Sequence, residues 1–251
     1  MNELRRALVM GLMGGLIWMN TLQAQDELIQ RPINPWMYQT ELDGLPDQLI
    51  VALNINLFIS YDPANCGLDQ AWRGRIVTEY KAPDSTKVHK VAGFPFANAV
   101  GQDPVWHVRR KGKELVQSVK LVEYVERELH AVLVYELALE GGEKVVIEEM
   151  PEFVTRKKNF DWSGLERTFT VKEAPEDVQI SLAVSFKDLL LKSDFKFSGK
   201  TQRVKKLKSF YDFGTLYDIE AELIMDAAKP SILRTFWSVN IEAEAAKRNQ
   251  G

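Results

Sequence analysis

The chain of 251 residues has little that could support redox or metal chemistry, with a single cysteine and three histidines. One cysteine, Cys66, excludes an internal disulfide, so it either pairs with a second chain or packs as a buried thiol. We expect the buried thiol. The histidines, His89, His107 and His130, do not have the spacing of metal ligands, and we therefore expect no metal.

Common catalytic motifs are also missing. The sequence contains no Cys-x-x-Cys-His, His-Glu-x-x-His or Gly-x-Ser-x-Gly motif and no glycine-rich phosphate loop. We therefore expect no cofactor. A glycosidase needs only two facing carboxylates, and Glu148, Glu149 and Glu152 cluster near the end of a predicted strand. The formal net charge of −3 argues against nucleic acid as a partner.

Long apolar runs are absent except near the start of the chain. Arg5 and Arg6 precede the apolar run Ala7–Trp18, and the small residue Ala24 follows a short polar segment. This pattern predicts a signal peptide over residues 1–24. The alternative, a membrane anchor, would need roughly 20 apolar residues, whereas this run has about 12. We therefore predict a periplasmic or secreted protein with no membrane span after cleavage.

Apolar residues alternate with polar ones along most of the remaining chain, as in β-strands. The clearest stretch, residues 48–60, predicts one long strand with one buried and one partly wet face. About a dozen strands and short turns predict an all-β fold, an antiparallel β-sandwich or jelly-roll-like single domain over residues 25–241. We expect residues 242–251 to form a flexible tail, residues 81–101 to be irregular, and residues 187–192 to allow one helical turn.

Two short segments combine an aromatic ring with polar groups, as a sugar-binding site requires. The first contains Trp106, His107 and Arg109, and the second contains Asp161 and Trp162. We take these five residues as the candidate ligand-binding site. In the alternative interpretation, both tryptophans belong to the core at strand ends, and His107 has a purely structural role.

The strongest charge cluster is the basic segment 200–208. An edge strand protected by lysines explains it most simply. Alternatively, it joins the basic turns 109–113 and 156–158 in a surface for an acidic polymer or partner.

Part of the sequence resembles a β-rich segment of large secreted bacterial proteins that also contain c-type cytochrome or sugar-dehydrogenase-like modules. The resemblance lies in the following short motifs: Asn34-Pro35-Trp36, Leu42-Asp43-Gly44, Leu53, Leu57, Tyr61-Asp62, Cys66-Gly67-Leu68, Trp72-Arg73-Gly74 and Glu166-Arg167-Thr168-Phe169-Thr170-Val171. It covers about a third of the chain. It implies an accessory β module of extracellular carbohydrate or redox metabolism and carries over no catalytic residue, because the haem-attachment motif is absent.

These observations favour an exported, non-catalytic β-sandwich module that binds a carbohydrate or a partner protein. Two alternatives stay open. One is a sandwich-fold carbohydrate-active enzyme, such as a glycoside hydrolase, lyase or epimerase, that uses facing carboxylates or His107. The other is a structural subunit of an envelope complex that makes contact through Cys66 or the lysine-rich edge. The expected partners are therefore a polysaccharide or an envelope protein.

Overall fold

A computed structural model describes residues 27–28, 36–81, 86–98, 105–155, 162–190, 194–211 and 214–238. The predicted signal peptide, residues 1–24, and the predicted tail, residues 242–251, lie outside the described residues. The strands are β1 (Glu27–Leu28), β2 (Trp36–Leu42), β3 (Leu45–Ala52), β4 (Leu57–Asp62), β5 (Gly67–Lys81), β6 (Thr86–Asn98), β7 (Trp106–Arg110), β8 (Lys113–Glu114), β9 (Val116–Arg127), β10 (His130–Leu139), β11 (Lys144–Thr155), β12 (Trp162–Glu173), β13 (Gln179–Leu190), β14 (Asp194–Phe197), β15 (Lys200–Tyr211), β16 (Gly214–Ile224) and β17 (Ser231–Ser238).

The described residues form only strands, turns and irregular segments, which confirms the predicted all-β, sandwich-like fold class. Within them, no helix could cross a membrane. Several predicted elements are confirmed closely. The sequence predicts a strand over Trp36–Leu42, which are the bounds of β2, and a hairpin turn over residues 140–143, where Gly141-Gly142 joins β10 to β11. The basic segment 200–208 lies within β15, which pairs only with β16 among the described strands, so the predicted edge strand is confirmed.

The strands pair in three groups. Strands β2 to β6 close into a ring, in which every neighbour is antiparallel except β2 and β6, which meet in parallel at Leu42 and His89. A second group has the order β8-β7-β13-β16-β15 and joins the ring where Lys187 pairs with Asn98. The third group is a separate sheet with the order β14-β17-β12-β11-β10-β9.

One hydrophobic core joins the three groups. It includes Ile59 from the ring, Leu182 from the second group and Leu133 from the third. A smaller cluster consists only of ring residues, and in it the rings of Phe58 and Trp72 stack with their centroids 5.5 Å apart. Strands β3 and β4 therefore bury both faces. The expectation of one partly wet face was wrong, because closure of the ring covers that face as well.

The prediction of one strand over residues 48–60 was also wrong, because this stretch is the β3–β4 hairpin. The side-chain oxygen of Asn54 accepts hydrogen bonds from the backbone N–H groups of Asn56 (2.9 Å) and Leu57 (2.8 Å), which closes an Asx turn. Ile55 at the tip is 82% exposed. The loop between β3 and β4 has four residues, an even number, so the alternation of apolar and polar residues continues unchanged from one strand to the next. The alternation alone therefore does not reveal the turn.

Residues 81–101 were expected to be irregular, but most of them form β6, which pairs along nearly its whole length with β5. Gly74 and Gly93 face each other in this pair, with φ angles of +146° and +159°. A Cβ atom on Gly74 would lie 2.3 Å from the Ala92 carbonyl oxygen, and one on Gly93 would lie 2.1 Å from that of Arg73. These glycines allow a close approach of two strands and do not interrupt them.

The suggested helical turn over residues 187–192 is also corrected. Strand β13 remains extended to Leu190, and residues 191–192 lie outside the described part. A register shift between Phe186 and Leu189 marks an irregularity in its pairing with β16. Such a β-bulge disturbs the strict alternation of faces, which explains why the sequence pattern breaks there.

We predict that Gly74→Ala or Gly93→Ala lowers the free energy of unfolding by about 2 kcal/mol or more, because the new methyl group meets rigid backbone. Urea unfolding followed by circular dichroism measures the loss. Gly141→Ala is the matched control. Gly141 also has a positive φ, +93°, but open space around it, so only the left-handed conformation should cost stability, by about 1 kcal/mol. Equal losses in all three variants would contradict the close-approach explanation.

Candidate functional site

Trp106 is a core residue. It is fully buried, its indole N–H donates to the Cys66 carbonyl oxygen at 3.1 Å, and its ring centroid lies 5.5 Å from that of Tyr135. The proposal of a sugar-stacking surface is therefore corrected for this tryptophan, and the alternative interpretation holds. The cause is the period of β7, which directs Trp106 and Val108 into the core and places His107 on the opposite face.

The side chains on that opposite face form a network around Glu114. Its carboxylate oxygens lie 2.9 Å from His107 Nδ1 and 3.4 Å from Arg109 Nε, and one of them accepts a hydrogen bond from the Val108 backbone N–H at 3.0 Å. The network brings together two of the predicted site residues, His107 and Arg109. Glu114 lies opposite Arg109 in the β7–β8 pair, and sequence reasoning did not single it out.

Glu222 in β16 binds the other side of Arg109. The guanidinium donates to the Glu222 carboxylate, which also accepts a hydrogen bond from the Ser181 hydroxyl at 2.6 Å. Burial acts to raise the pKa of Glu222. The hydrogen bonds from Ser181 and Arg109 outweigh it and hold that pKa below its ordinary value. Arg109 and Glu222 therefore form a fixed ion pair between β7 and β16.

A cleft of about 540 Å³ opens beside this ion pair. Its lining residues are Arg109, Lys111, Gly112, Asp177, Val178, Gln179 and Glu222. The side chains of Lys111, Asp177 and Gln179 have no hydrogen-bond or ion-pair partner among the described residues. The cleft thus combines a neutralised ion pair with an ammonium, a carboxylate and an amide that form no hydrogen bond or ion pair with a described residue, although the Asp177 charge also interacts with Arg110 over a longer distance. Sequence reasoning singled out neither Asp177 nor Gln179 as a site residue.

The second predicted segment consists of Asp161 and Trp162. Asp161 lies outside the described residues. The backbone of Trp162 begins β12, and its side chain is outside the part that the structure describes. Its role in sugar binding stays a prediction.

The three clustered glutamates point to different sides of β11. Glu148 and Glu152 lie on the outer face, where Glu148 pairs with Arg127 at 2.6 Å and Glu152 approaches His130 at 2.6 Å. Glu149, between them, is fully buried. The alternation of a strand therefore separates these carboxylates, and Glu149 has no access to a substrate.

Glu149 forms the centre of a buried polar cluster. Arg167 donates two parallel hydrogen bonds to it, at 2.6 and 3.0 Å, and the Tyr135 hydroxyl donates a third at 3.0 Å. The Tyr61 hydroxyl donates a fourth. The guanidinium carbon of Arg167 also lies 5.0 Å from the ring centroid of Phe169, a cation–π contact. We call Tyr61, Tyr135, Glu149 and Arg167 the buried quartet.

Burial and the neighbouring Glu149 charge raise the pKa values of Tyr61 and Tyr135 well above the usual range. Both tyrosines therefore remain hydrogen-bond donors at neutral pH. Each oxygen of Glu149 accepts two hydrogen bonds, one from Arg167 and one from a tyrosine, so the carboxylate meets the condition under which a buried ion pair is tolerated. Its role is structural.

Cys66 is buried, as expected. Its thiol lies 3.4 Å from the Pro63 carbonyl oxygen, and burial raises its pKa to about 12. A thiol that is buried and protonated is unreactive. The alternative in which Cys66 pairs with a second chain is therefore corrected. In the described ranges, no group of three or more His, Cys, Asp or Glu side chains could hold a metal ion.

Comparison with protein-family models and with curated proteins finds no match. Among solved structures, the chain is similar to 4-alpha-glucanotransferase from Thermococcus litoralis, with 11% sequence identity and a TM-score of 0.36. The match covers 83% of this chain and 42% of that enzyme's chain. At this TM-score, we infer neither fold nor function from it.

We predict that Glu149→Gln lowers the free energy of unfolding by about 3–5 kcal/mol, because it leaves the Arg167 cation buried without its counter-charge. Urea unfolding measures the loss. The matched control is Glu148→Gln, its neighbour on the outer face, which should cost less than about 1 kcal/mol. The double variant Glu149→Leu/Arg167→Met, which removes both charges, should lose less stability than Glu149→Gln. Equal losses from Glu148→Gln and Glu149→Gln would contradict the proposed role of the quartet.

A second prediction concerns Glu222. Because its folded pKa is lowered, its ionised form stabilises the fold above the unfolded value of about 4.3, and this stability is lost as the pH falls through the folded pKa. The difference in unfolding free energy between the native protein and Glu222→Gln should therefore shrink as the pH falls below about 4. Urea unfolding over a pH series tests this. Ser181→Ala, which keeps the carboxylate and Arg109 but removes a hydrogen bond that lowers the Glu222 pKa, should weaken the pH dependence. A difference that does not change with pH would contradict the prediction.

Proposed function

We propose that this chain is a non-catalytic binding module that takes a carbohydrate in the cleft beside Arg109 and Glu222. The observation that carries the proposal is the set of unpartnered polar side chains in the cleft wall, Lys111, Asp177 and Gln179. Sugar hydroxyls both donate and accept hydrogen bonds. A carboxylate accepts, an ammonium donates and an amide does both, so the wall matches such a ligand.

The rest of the cleft supports the same proposal. Its volume of about 540 Å³ lies in the range of small-molecule sites. The Arg109–Glu222 pair presents no net charge, and Glu114 holds Arg109 from its other side. Because Arg109 and Glu222 are already held by these contacts, ordering those two side chains adds little to the entropic cost of binding a ligand.

The enzyme alternative receives less support at Glu149 and at the cleft carboxylate Glu222. A glycosidase needs one carboxylic acid with a raised pKa to protonate the leaving group. Glu149 is inaccessible, and Glu222 has a lowered pKa, so at neutral pH it is ionised and cannot donate a proton. We therefore propose binding without catalysis.

We place this function in the periplasm or outside the cell, within carbohydrate or redox metabolism. The predicted signal peptide over residues 1–24 and the partial sequence resemblance support that location. In the alternative function, a structural subunit of an envelope complex, the lysine-rich strand β15 would supply the contact. A partner captured through β15 that resists competition by free sugars would favour that alternative.

A glycan-array assay on the purified protein tests the proposed site. We predict binding that weakens at least about tenfold in Asp177→Asn and in Gln179→Ala, because each loses a charge or hydrogen-bonding groups that face the ligand. Asparagine tolerates the left-handed backbone of Asp177, whose φ is +59°. Circular dichroism should confirm that each variant folds.

Lys113→Ala is the matched control for this assay. Lys113 lies in the same hairpin as the cleft residue Lys111, but it pairs with Glu140 at 2.6 Å and does not line the cleft. Its loss should leave binding unchanged. An array with no bound glycan, or binding that persists in both cleft variants, would overturn the proposed function.

A further inference from the structure

The basic residues of the β7–β8 hairpin differ in how their charge is balanced. Arg110 pairs with Glu143 at 3.0 Å, and Lys113 pairs with Glu140 at 2.6 Å. Arg109, as described above, lies between two carboxylates. Lys111 alone, at the tip of the hairpin and in the cleft wall, has no carboxylate partner among the described residues. The cleft therefore contains one cation that forms no ion pair with a described carboxylate.

The backbone presents Lys111 and Asp177 in an unusual way. Seven non-glycine residues in the described ranges have a positive φ, and two of them are Lys111, at +51°, and Asp177, at +59°. This conformation costs an L-residue about 1 kcal/mol or more, and such strain concentrates at functional sites. Both residues are on tight turns at the cleft, so their side chains begin from well-defined positions.

We infer that the carbohydrate bound in this cleft is acidic, with a uronic acid carboxylate paired to Lys111. This inference rests on the proposed function. The lysine ammonium offers three donors and a full charge to the sugar carboxylate. Asp177 repels a carboxylate and accepts hydrogen bonds from hydroxyl groups, so it takes the hydroxyl side of the sugar. The two unpartnered charges thereby fix the orientation of the ring.

A neutral sugar would form a weaker interaction with Lys111 than an acidic sugar does. It would satisfy Asp177 and Gln179 through its hydroxyls, but Lys111 would gain only a neutral hydrogen bond. Charge-assisted hydrogen bonds are roughly twice as strong as neutral ones. The structure therefore predicts a preference for the acidic form of a glycan over its neutral form when the backbone of the two glycans is the same.

Matched pairs of glycans test this preference by isothermal titration. Oligomers of polygalacturonate, alginate and hyaluronate are each compared with their carboxyl-reduced forms, which keep the hydroxyls and lose the charge. We expect at least one acidic oligomer to bind about tenfold more tightly than its reduced form, with a ratio that falls as the salt concentration rises.

Two variants connect the preference to one side chain. Lys111→Asn removes the ammonium, and asparagine is compatible with the positive φ at this position. It should bring the acidic and reduced forms to within about twofold of each other, while binding of the reduced form persists. Lys113→Ala should leave the preference unchanged, because the Lys113 side chain is already paired with Glu140. A ratio that falls equally in both variants would overturn the assignment to Lys111.

The results also separate this inference from the proposed function. If acidic and reduced forms bind equally, or if only neutral glycans bind in a manner sensitive to Asp177→Asn, the inference fails and the carbohydrate site remains. If no glycan of either kind binds the folded protein, both fail.

Discussion

The ion pair between Arg167 and Glu149 constrains the rest of the structure. Two charges removed from water are tolerated only if their hydrogen bonds are complete, and here the guanidinium and two tyrosine hydroxyls together satisfy the carboxylate. Tyr61 comes from the ring, whereas Tyr135, Glu149 and Arg167 come from three adjacent strands of the third sheet. A slip of one residue in any of these strands would turn its partner to the opposite face and leave a buried charge unpaired. The buried quartet thus connects the packing of two sheets to the register of four strands.

The position of the cleft depends on the packing around the quartet. The ring of Trp106 lies against Tyr135 and, with centroids 5.9 Å apart, against Phe169, which itself contacts the Arg167 guanidinium. These contacts place β7 over the core. Because β7 alternates, the same contacts direct His107 and Arg109 outward, toward Glu114 and Glu222. Trp106 is buried and cannot bind a sugar, but its packing orients His107 and Arg109 near the cleft.

Much of the fold could be predicted from the sequence, and the errors have identifiable causes. Period-two alternation located strands such as β10, and the glycines at residues 141–142 located its hairpin with β11. The loop at Asn54 was missed because a four-residue loop preserves the alternation. Strand β6 was missed because the glycines and prolines of residues 81–101 were interpreted as breaks, whereas Gly93 permits close approach to Gly74. Neither ring closure nor the pairing of distant strands leaves a local signal in the sequence.

The candidate site was only partly predictable for a related reason. His107 and Arg109 lie in one segment, so their combination is visible in the sequence. Glu222 lies 113 residues from its partner Arg109, and only strand pairing brings them together. The same holds for Glu149, which looks like its neighbours Glu148 and Glu152 in the sequence and is separated from them only by the face on which it lies. Burial, which decides whether a carboxylate stabilises the fold or binds a ligand, is a property of the assembled sheets.

Three carboxylates illustrate this dependence. Glu149 is sealed from water and bound on both oxygens, so its charge contributes only to the fold. Glu222 is mostly buried and bound by Ser181 and Arg109, so it shapes the cleft and has little capacity left for a ligand. Asp177 lines the same cleft without a hydrogen-bond or ion-pair partner among the described residues. A ligand that binds Asp177 need not break an existing bond of the protein, whereas one that binds Glu222 must compete with two donors. The free carboxylate is therefore the group through which this cleft can gain affinity, and Lys111 offers the same advantage for the opposite charge.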